Sequence, residues 1–264
     1  MLGMMRGLWL YRHFVLSSIR NEQRSRFARS KLGVLWMVLN PLAQVAIYAL
    51  ILSNVLSAKL PGIESQYAYA IYLMAGLLAW NLFSEIVSRC LTLFISQGAL
   101  MKKISFPRIT MPTIVVGSCL INNLLLFLSM LGVFTLLGHS LSFTLLWLFP
   151  LTLNVVMLAV GVGLILGVLN VFIRDIGQVV PIILQMGFWF TPVVYPINII
   201  PEEYRHLLEF NPMYAFTNAY HQILVYQTTP DLLHLVPIIG VSLLLLLLGL
   251  FLFRRSSAEM VDVL

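Results

Sequence analysis

Hydrophobic residues run in long uninterrupted blocks along this chain, and charged residues gather in short clusters between them. From Ile109 to Ile173 there are 65 consecutive residues without a lysine, arginine, aspartate or glutamate. As a single helix that block would be roughly 100 Å long, about three times a 30 Å hydrocarbon core. It must fold back, and Gly138-His139-Ser140 is the only convincing turn inside it. Two membrane helices joined by a tight hairpin fit. Charge-free windows at Leu32–Ala58, Ser65–Ser84, Ile176–Pro201 and Leu232–Phe253 each suffice for one further span, the need being about 20 residues. The pattern predicts an all-α polytopic membrane protein with six transmembrane helices, near 34–56, 68–93, 111–137, 143–170, 177–196 and 234–253. It reads as one membrane domain over residues 1–264, with no room for a soluble domain of ordinary size.

Two amphipathic segments flank these spans. In the first 33 residues, Leu8, Tyr11, Val15 and Ile19 share one helical face, and Arg6, His13, Ser17, Arg20 and Arg24 the opposite one. Arg12 and His13 interrupt the apolar run and no small-residue cleavage site follows, so this is an interfacial helix and linker rather than a cleaved signal. The stretch from Ile197 to Asp231 is too polar for a full span and too apolar for a free loop. Two short helices broken at Asn211-Pro212 and dipping into the outer leaflet account for it, making 197–231 a re-entrant periplasmic segment.

Composition agrees: hydrophobic residues make up 60% and charged ones 10%. The net charge of +6 is unevenly distributed. Thirteen of the sixteen basic residues fall on one side of the predicted membrane; only Lys59 and Arg205 fall on the other, and Arg89 lies inside the second span. The positive-inside bias places both termini in the cytoplasm. The charge is thus orientation and attraction to anionic lipid, and nucleic acid is not an expected partner.

The chain lacks several kinds of chemistry. There is no GxxxxGK[ST] loop, no HExxH and no GxSxG. Gly163 and Gly167 sit within an apolar span and read as a close helix-packing surface. Cys90 and Cys119 lie in spans with no ligand-type neighbours, so metal binding and catalysis are not expected of them. Glu85 and Arg89, four apart on span two, suit an ion pair better than a substrate contact. Without a nucleotide site or a row of intramembrane carboxylates, energy for any transport must come from another polypeptide. The positive signal is aromatic. Trp80, Phe83, Phe188, Trp189 and Tyr195 concentrate in spans two and five, with Tyr214 and Tyr220 in the segment after them. They suit either an interfacial belt or a sugar-lined path, on which a pyranose face slides along rings without a deep binding well.

The string Arg29-Ser30-Lys31-Leu32-Gly33-Val34-Leu35-Trp36 followed by Leu39-Asn40-Pro41-Leu42 resembles the start of span one in ABC-2 type permeases that export O-antigen, capsule and teichoic-acid polysaccharides. Phe172-Ile173-Arg174-Asp175-Ile176 is similar to that family's turn between spans four and five, Thr191-Pro192-Val193-Val194-Tyr195-Pro196 to the end of its span five, and Asn211-Pro212-Met213 to its re-entrant segment. Tyr220-His221 departs from the pattern, since many relatives carry arginine there. The resemblance implies a permease subunit without enzymatic activity or a cofactor of its own, paired with a second copy of itself. Two copies of a cytoplasmic ATPase would hold the ATP and magnesium, and the substrate would be a polyprenyl-pyrophosphate-linked polysaccharide crossing an inner membrane. Within that picture, Lys102, Lys103, Arg108, Arg174 and Asp175 are expected to touch the ATPase. Arg24, Arg26, Arg29 and Lys31 would attract pyrophosphate at the cytoplasmic mouth, or simply set topology. Asn211, Pro212, Tyr214 and Tyr220 would form a periplasmic gate. An exporter of drugs or small lipids would share the fold, and a polyprenyl-linked membrane glycosyltransferase or acyltransferase would share the composition.

Overall fold

The computed structural model describes residues 7–26, 30–54, 67–103, 107–140 and 142–263. Every regular element among them is helical: α1 (Arg12–Arg26), α2 (Trp36–Asn54), α3 (Ala68–Ser96), α4 (Gly98–Lys103), α5 (Thr110–Leu136), α6 (Leu148–Phe172), α7 (Ile176–Phe190), α8 (Glu202–Glu209), α9 (Pro212–Leu224) and α10 (Leu232–Val263). Among the described residues, four helical stretches are long and apolar enough to cross a membrane: α3, α5, the run 143–172 that begins as a 3-10 turn and continues as α6, and residues 232–257 of α10. The two remaining predicted spans correspond to α2 and α7, which are apolar but shorter.

Two boundaries differ from expectation for local reasons. The fifth apolar helix ends at Phe190, not near residue 196. Thr191 takes an extended conformation, φ −102° and ψ 128°, because the ring of Pro192 disfavours helical geometry in the residue before it. At 15 residues α7 is about 22 Å long, short of a 30 Å hydrocarbon core. The last helix overruns its apolar window by ten residues, from Arg254 to Val263, since no glycine or proline follows Phe253 to stop it. The expected break at Asn211-Pro212 is present: α8 ends before it, and the Asn211 side chain caps α9 by accepting from the Met213 N–H at 3.0 Å.

The core is organised around α3, which α2, α5, α6, α7 and α9 all touch. Nearly its whole length is buried, from Ala68 to Phe94. In lipid there is no hydrophobic gain from bringing two apolar helices together, so close approach must come from small residues. Helix α6 supplies them on two opposite faces, since positions two apart on a helix diverge by about 200°. A side chain at Gly161 would lie 2.6 Å from the Leu245 and Leu246 backbone of α10. On the other face Gly163 meets Cys90 and Val87, and Gly167 meets the Cys90 carbonyl and the Phe94 ring. Gly76 of α3 does the same higher up: a Cβ there would lie 2.7 Å from the Val193 carbonyl and 3.0 Å from His221 Nε2. Without it, neither the turn after α7 nor α9 seats on α3.

These contacts set an expectation for substitution. Gly163→Val should force α3 and α6 apart at a site made of backbone and Cβ atoms, costing roughly 1–3 kcal/mol of stability. Gly132→Ala on α5, where nothing lies within 4 Å, should be neutral or stabilising by up to about 1 kcal/mol. Thermal unfolding of the purified proteins in detergent checks this, and equal midpoints for both variants would contradict the packing assignment.

Candidate functional site

Three zones hold the residues with chemistry to offer. The first joins α1 to the bundle. Glu22, Gln23 and Arg26 of α1 meet Glu85 and Arg89 of α3 and Ser118 and Asn122 of α5. Arg89 bonds Glu22 directly and lies 3.7 Å from Glu85, while Arg26 lies 3.6 Å from each of the same two carboxylates. Ser118 donates to Glu22 at 2.7 Å and Asn122 donates to Glu85 at 2.9 Å. Two arginines and two glutamates thus close a neutral square in which every carboxylate has two cations and a neutral donor. The i,i+4 pair anticipated on α3 is present, but it is half of a larger arrangement. Glu22 was not anticipated. Its signal was there: it is the sole acidic residue among the seven basic ones before the first span.

The other basic residues divide. Arg24 and Lys31 are exposed, Arg26 is committed to the square, and Arg29 lies outside the described residues. Among the expected ATPase contacts, Lys102 is exposed on α4, where Lys103 is the last residue, and Arg174 and Asp175 are exposed in the turn between α6 and α7. Arg108 faces inward and donates to the Ser257 carbonyl on the extension of α10. The Asn170 side chain donates to the Leu91 carbonyl at 2.9 Å, and Phe94 stacks on Phe253 with centroids 5.3 Å apart. The ends of α3, α6 and α10 therefore meet, which places α4 and the Arg174-Asp175 turn at one end of the bundle.

The second zone is the aromatic group on α3 and α7. The Trp80 ring packs 5.8 Å from Phe83 and 5.9 Å from Phe188, and Phe188 lies 5.4 Å from Trp189. Trp80 is only 7% exposed and Phe83 is likewise buried, whereas Trp189 is 60% exposed. Trp80, Phe83 and Phe188 seat α7 on α3, and Trp189 packs edge-to-face on Phe188 from the exposed side of α7. The exposed residues of α7, among them Val179, Ile182, Ile183, Met186, Trp189 and Phe190, form a mainly apolar face, with Gln178 and Gln185 within it, that nothing in this chain covers among the described residues.

The third zone is the cap at the opposite end. The backbone from Thr191 to Tyr195 is held by phenols of α3: Tyr69 donates to the Val194 carbonyl at 2.7 Å and Tyr72 to the Tyr195 carbonyl at 3.1 Å. Tyr195 in turn donates to the Trp189 carbonyl at 2.6 Å. Asn211 ties α9 to the same turn by donating to Thr191 at 2.8 Å, and Pro212 follows it as the first residue of α9. Tyr214 is half-buried at the edge of a cavity, but Tyr220 is fully buried, its hydroxyl 2.7 Å from that of Thr152. Tyr220 anchors the cap against Thr152 of α6, at the back of an apolar cavity of about 440 Å³ between α5 and α6. Next to it His221 stacks on Tyr72, centroids 3.6 Å apart, and burial pushes its pKa down to about 3, so the imidazole is neutral. Neither Tyr72 nor His221 was singled out for this contact from sequence, because it joins residues far apart along the chain.

A family profile described as "ABC-2 type transporter" matches residues 14–225, which takes in most of α1 and everything through α9. Over 268 residues the chain is 28% identical to the O-antigen export system permease protein RfbA of Myxococcus xanthus, covering 99% of each protein. It is 27% identical over 250 residues to the O-antigen export system permease protein RfbA of Klebsiella pneumoniae, covering 92% of each. It is 26% identical over 246 residues to the polysialic acid transport protein KpsM of Escherichia coli, covering 90% of this chain and 92% of that protein.

The charge square carries its own expectation. Arg89→Met leaves two carboxylates sharing Arg26 alone, and losing one partner of a partly buried pair should cost roughly 2–4 kcal/mol. Arg89→Met combined with Glu85→Gln restores neutrality around Arg26 and Glu22 and should recover at least half of that loss. Thermal unfolding of the two purified variants decides it. A double variant no more stable than the single one would mean that packing, not charge balance, holds α1 in place.

Proposed function

The chain belongs to the ABC-2 type transporter family, and we propose that it is the channel-forming permease subunit of an exporter for a polyprenyl-pyrophosphate-linked polysaccharide, an O-antigen or similar surface glycan. The glycan moves from the cytoplasmic to the periplasmic face of a bacterial inner membrane. A likeness to an O-antigen export permease over 99% of both chains is the observation that carries this reading. The chain supplies the path, and two copies of a separate ABC ATPase bind ATP and magnesium and supply the energy. The permease is not itself an enzyme and needs no cofactor of its own.

In this reading α2 and α7 complete six spans with the four longer stretches, α1 lies at the cytoplasmic interface, and α8 and α9 form a re-entrant cap on the periplasmic side. Both termini are cytoplasmic. A second copy of the chain is part of the proposal, and α7 supports it. A helix of about 22 Å followed by the irregular stretch 191–196 puts non-helical backbone near membrane depth. Such backbone is tolerated there only when buried in protein or lining a water-filled cavity. The uncovered α7 face in two copies, set across an axis, meets that condition and builds a path between them. Trp189 faces that path, offering an apolar platform for sugar C–H faces, while Trp80 and Phe83 stiffen the wall behind it. At the opposite end Lys102, Lys103, Arg174 and Asp175 meet the ATPase, with Arg108 bracing α4 from within. Arg24 and Lys31 remain available to a pyrophosphate head group, for which arginine's planar fork is well suited.

The test begins with deletion of the gene. Cells lacking the chain should lose surface glycan and accumulate the lipid-linked form at the cytoplasmic face. Re-expression should restore export only with an ATPase subunit able to hydrolyse ATP. Unchanged surface glycan in the deletion strain would overturn the reading. The path itself makes a finer prediction. Trp189→Ala should reduce surface glycan several-fold at normal membrane abundance. Trp80→Ala should chiefly lower the amount of folded permease, by roughly 3–5 kcal/mol of stability. Immunoblots of membranes beside quantified surface glycan separate the two, and a Trp189 variant whose export tracks its abundance would remove that ring from the path.

A further inference from the structure

Between α9 and the first three turns of α10 lies a cavity of about 700 Å³, within the size range of small-molecule sites. One wall is a stripe along α9 formed by Tyr214, Asn218 and Gln222, spaced four apart and so aligned on one face. Facing it across the cavity are Asp231 and His234 near the start of α10, with Leu235 and Ile238 one and two turns on. The polar groups are held in position. Gln222 accepts from the Asp231 N–H at 3.2 Å, which leaves its NH₂ to donate elsewhere. Asp231 caps α10 by accepting from the Leu233 N–H at 3.0 Å, and its other oxygen lies 3.7 Å from His234. The Asn218 amide is exposed at the stripe's centre.

The chemistry of this lining is selective. It contains one carboxylate and no lysine or arginine, and its one imidazole, His234, lies 3.7 Å from that carboxylate, so a phosphate or pyrophosphate would meet Asp231 with no cation that is not already beside it. Two side-chain amides, a carboxylate and a phenol within one cavity are instead matched to a ligand that both donates and accepts hydrogen bonds at several points, which is the pattern of adjacent sugar hydroxyls. The aromatic ring and the aliphatic wall of Leu235 and Ile238 suit the apolar face that the same sugar presents. We propose that the cavity between α9 and α10 is a periplasmic subsite for a neutral, hydroxyl-rich sugar unit of the exported glycan. This rests on the polysaccharide-export reading above. The subsite holds the emerging chain weakly, so that it does not slip back while the ATPase resets.

The experiment uses the full chain with its ATPase in cells making their own surface polysaccharide, which is the probe. The photo-crosslinker p-benzoylphenylalanine is placed singly at position 218, at 189 on the proposed path, and at 244, an exposed leucine position further along α10. After irradiation the purified permease is stained for carbohydrate and analysed for phospholipid adducts by mass. Carbohydrate-positive, slow-migrating permease at 218 and 189, but not at 244, is the expected result. A glycan adduct at 189 without one at 218 overturns the subsite and leaves the export reading standing. A phospholipid adduct alone at 218 also overturns it and makes the cavity a lipid groove. No glycan adduct anywhere, in a strain whose surface glycan survives deletion of the gene, removes the export reading and the subsite together. A second variant reads strength: Asn218→Ala with Gln222→Ala removes two hydrogen-bonding amides and should cut the yield of glycan adduct at 189 or the export rate roughly three- to tenfold. Export and adduct yield equal to the parent at equal abundance would overturn the role of both amides.

Discussion

Backbone amides and carbonyls cannot be left unpaired in hydrocarbon, and the whole architecture follows from how this chain meets that demand. Along most of its length helices do so internally. The demand becomes acute where α7 stops at Phe190, because Pro192 prevents continuation and the carbonyls beyond lose their helical partners. Side chains take over. The phenols of Tyr69 and Tyr72 on α3 accept no share of α3's own bonding and donate instead to Val194 and Tyr195. The Arg205 side chain donates to the Ile200 carbonyl at 3.1 Å. Gly76 makes room for these contacts by having no side chain where the Val193 carbonyl arrives. Sequence-distant residues are therefore bound to each other by one local necessity, and the cap of α8 and α9 is built on the result.

The same economy governs charge. An isolated glutamate or arginine among apolar helices is costly, and this chain brings two of each together. The square of Glu22, Arg26, Glu85 and Arg89 is neutral and lets each group keep a partner if α1 shifts slightly along α3, because each cation lies within 4 Å of both anions. A single buried pair would have been more brittle, since any displacement strands both charges. The arrangement fastens α1 to α3 and α5.

Much of this was legible in the sequence, and the failures have physical causes. The charge-free runs located α3, α5, α6 and α10 because spans of that length have a single economical structure in lipid. Gly163 and Gly167 announced a close contact, though not that its partner is Cys90 on α3. The early end of α7 was readable in Thr191-Pro192 and was overlooked in favour of the longer apolar window. Which aromatic rings point outward was not readable. Trp80 and Phe83 share a helical face, but spacing cannot say whether that face meets a neighbour, and here it meets Phe188. The square escaped for the same reason: Glu22 and Arg89 lie 67 positions apart, and only the fold brings them together.

One helix links both ends. The phenols that hold the cap sit in the first two turns of α3, and the charges that receive α1 sit near its last two, Glu85 being sixteen positions beyond Tyr69. At 1.5 Å per residue that separation is roughly 24 Å of continuous helix without a proline inside. Among the described glycines of α3, Gly76 alone interrupts its larger side chains, and it is clamped between the Val193 backbone and His221. A rod of this kind transmits displacement with little loss, since tightly packed interiors deform poorly. If the proposed ATPase contacts hold, force would enter at α4 and at the Arg174-Asp175 turn, at the same end as the ring contact of Phe94 with Phe253. A tilt imposed there would move Tyr69 and Tyr72 at the other end, and with them the turn they hold and the cap behind it. The bonds that satisfy the backbone at the end of α7 are, on this reading, also the bonds through which the cap responds to the motor.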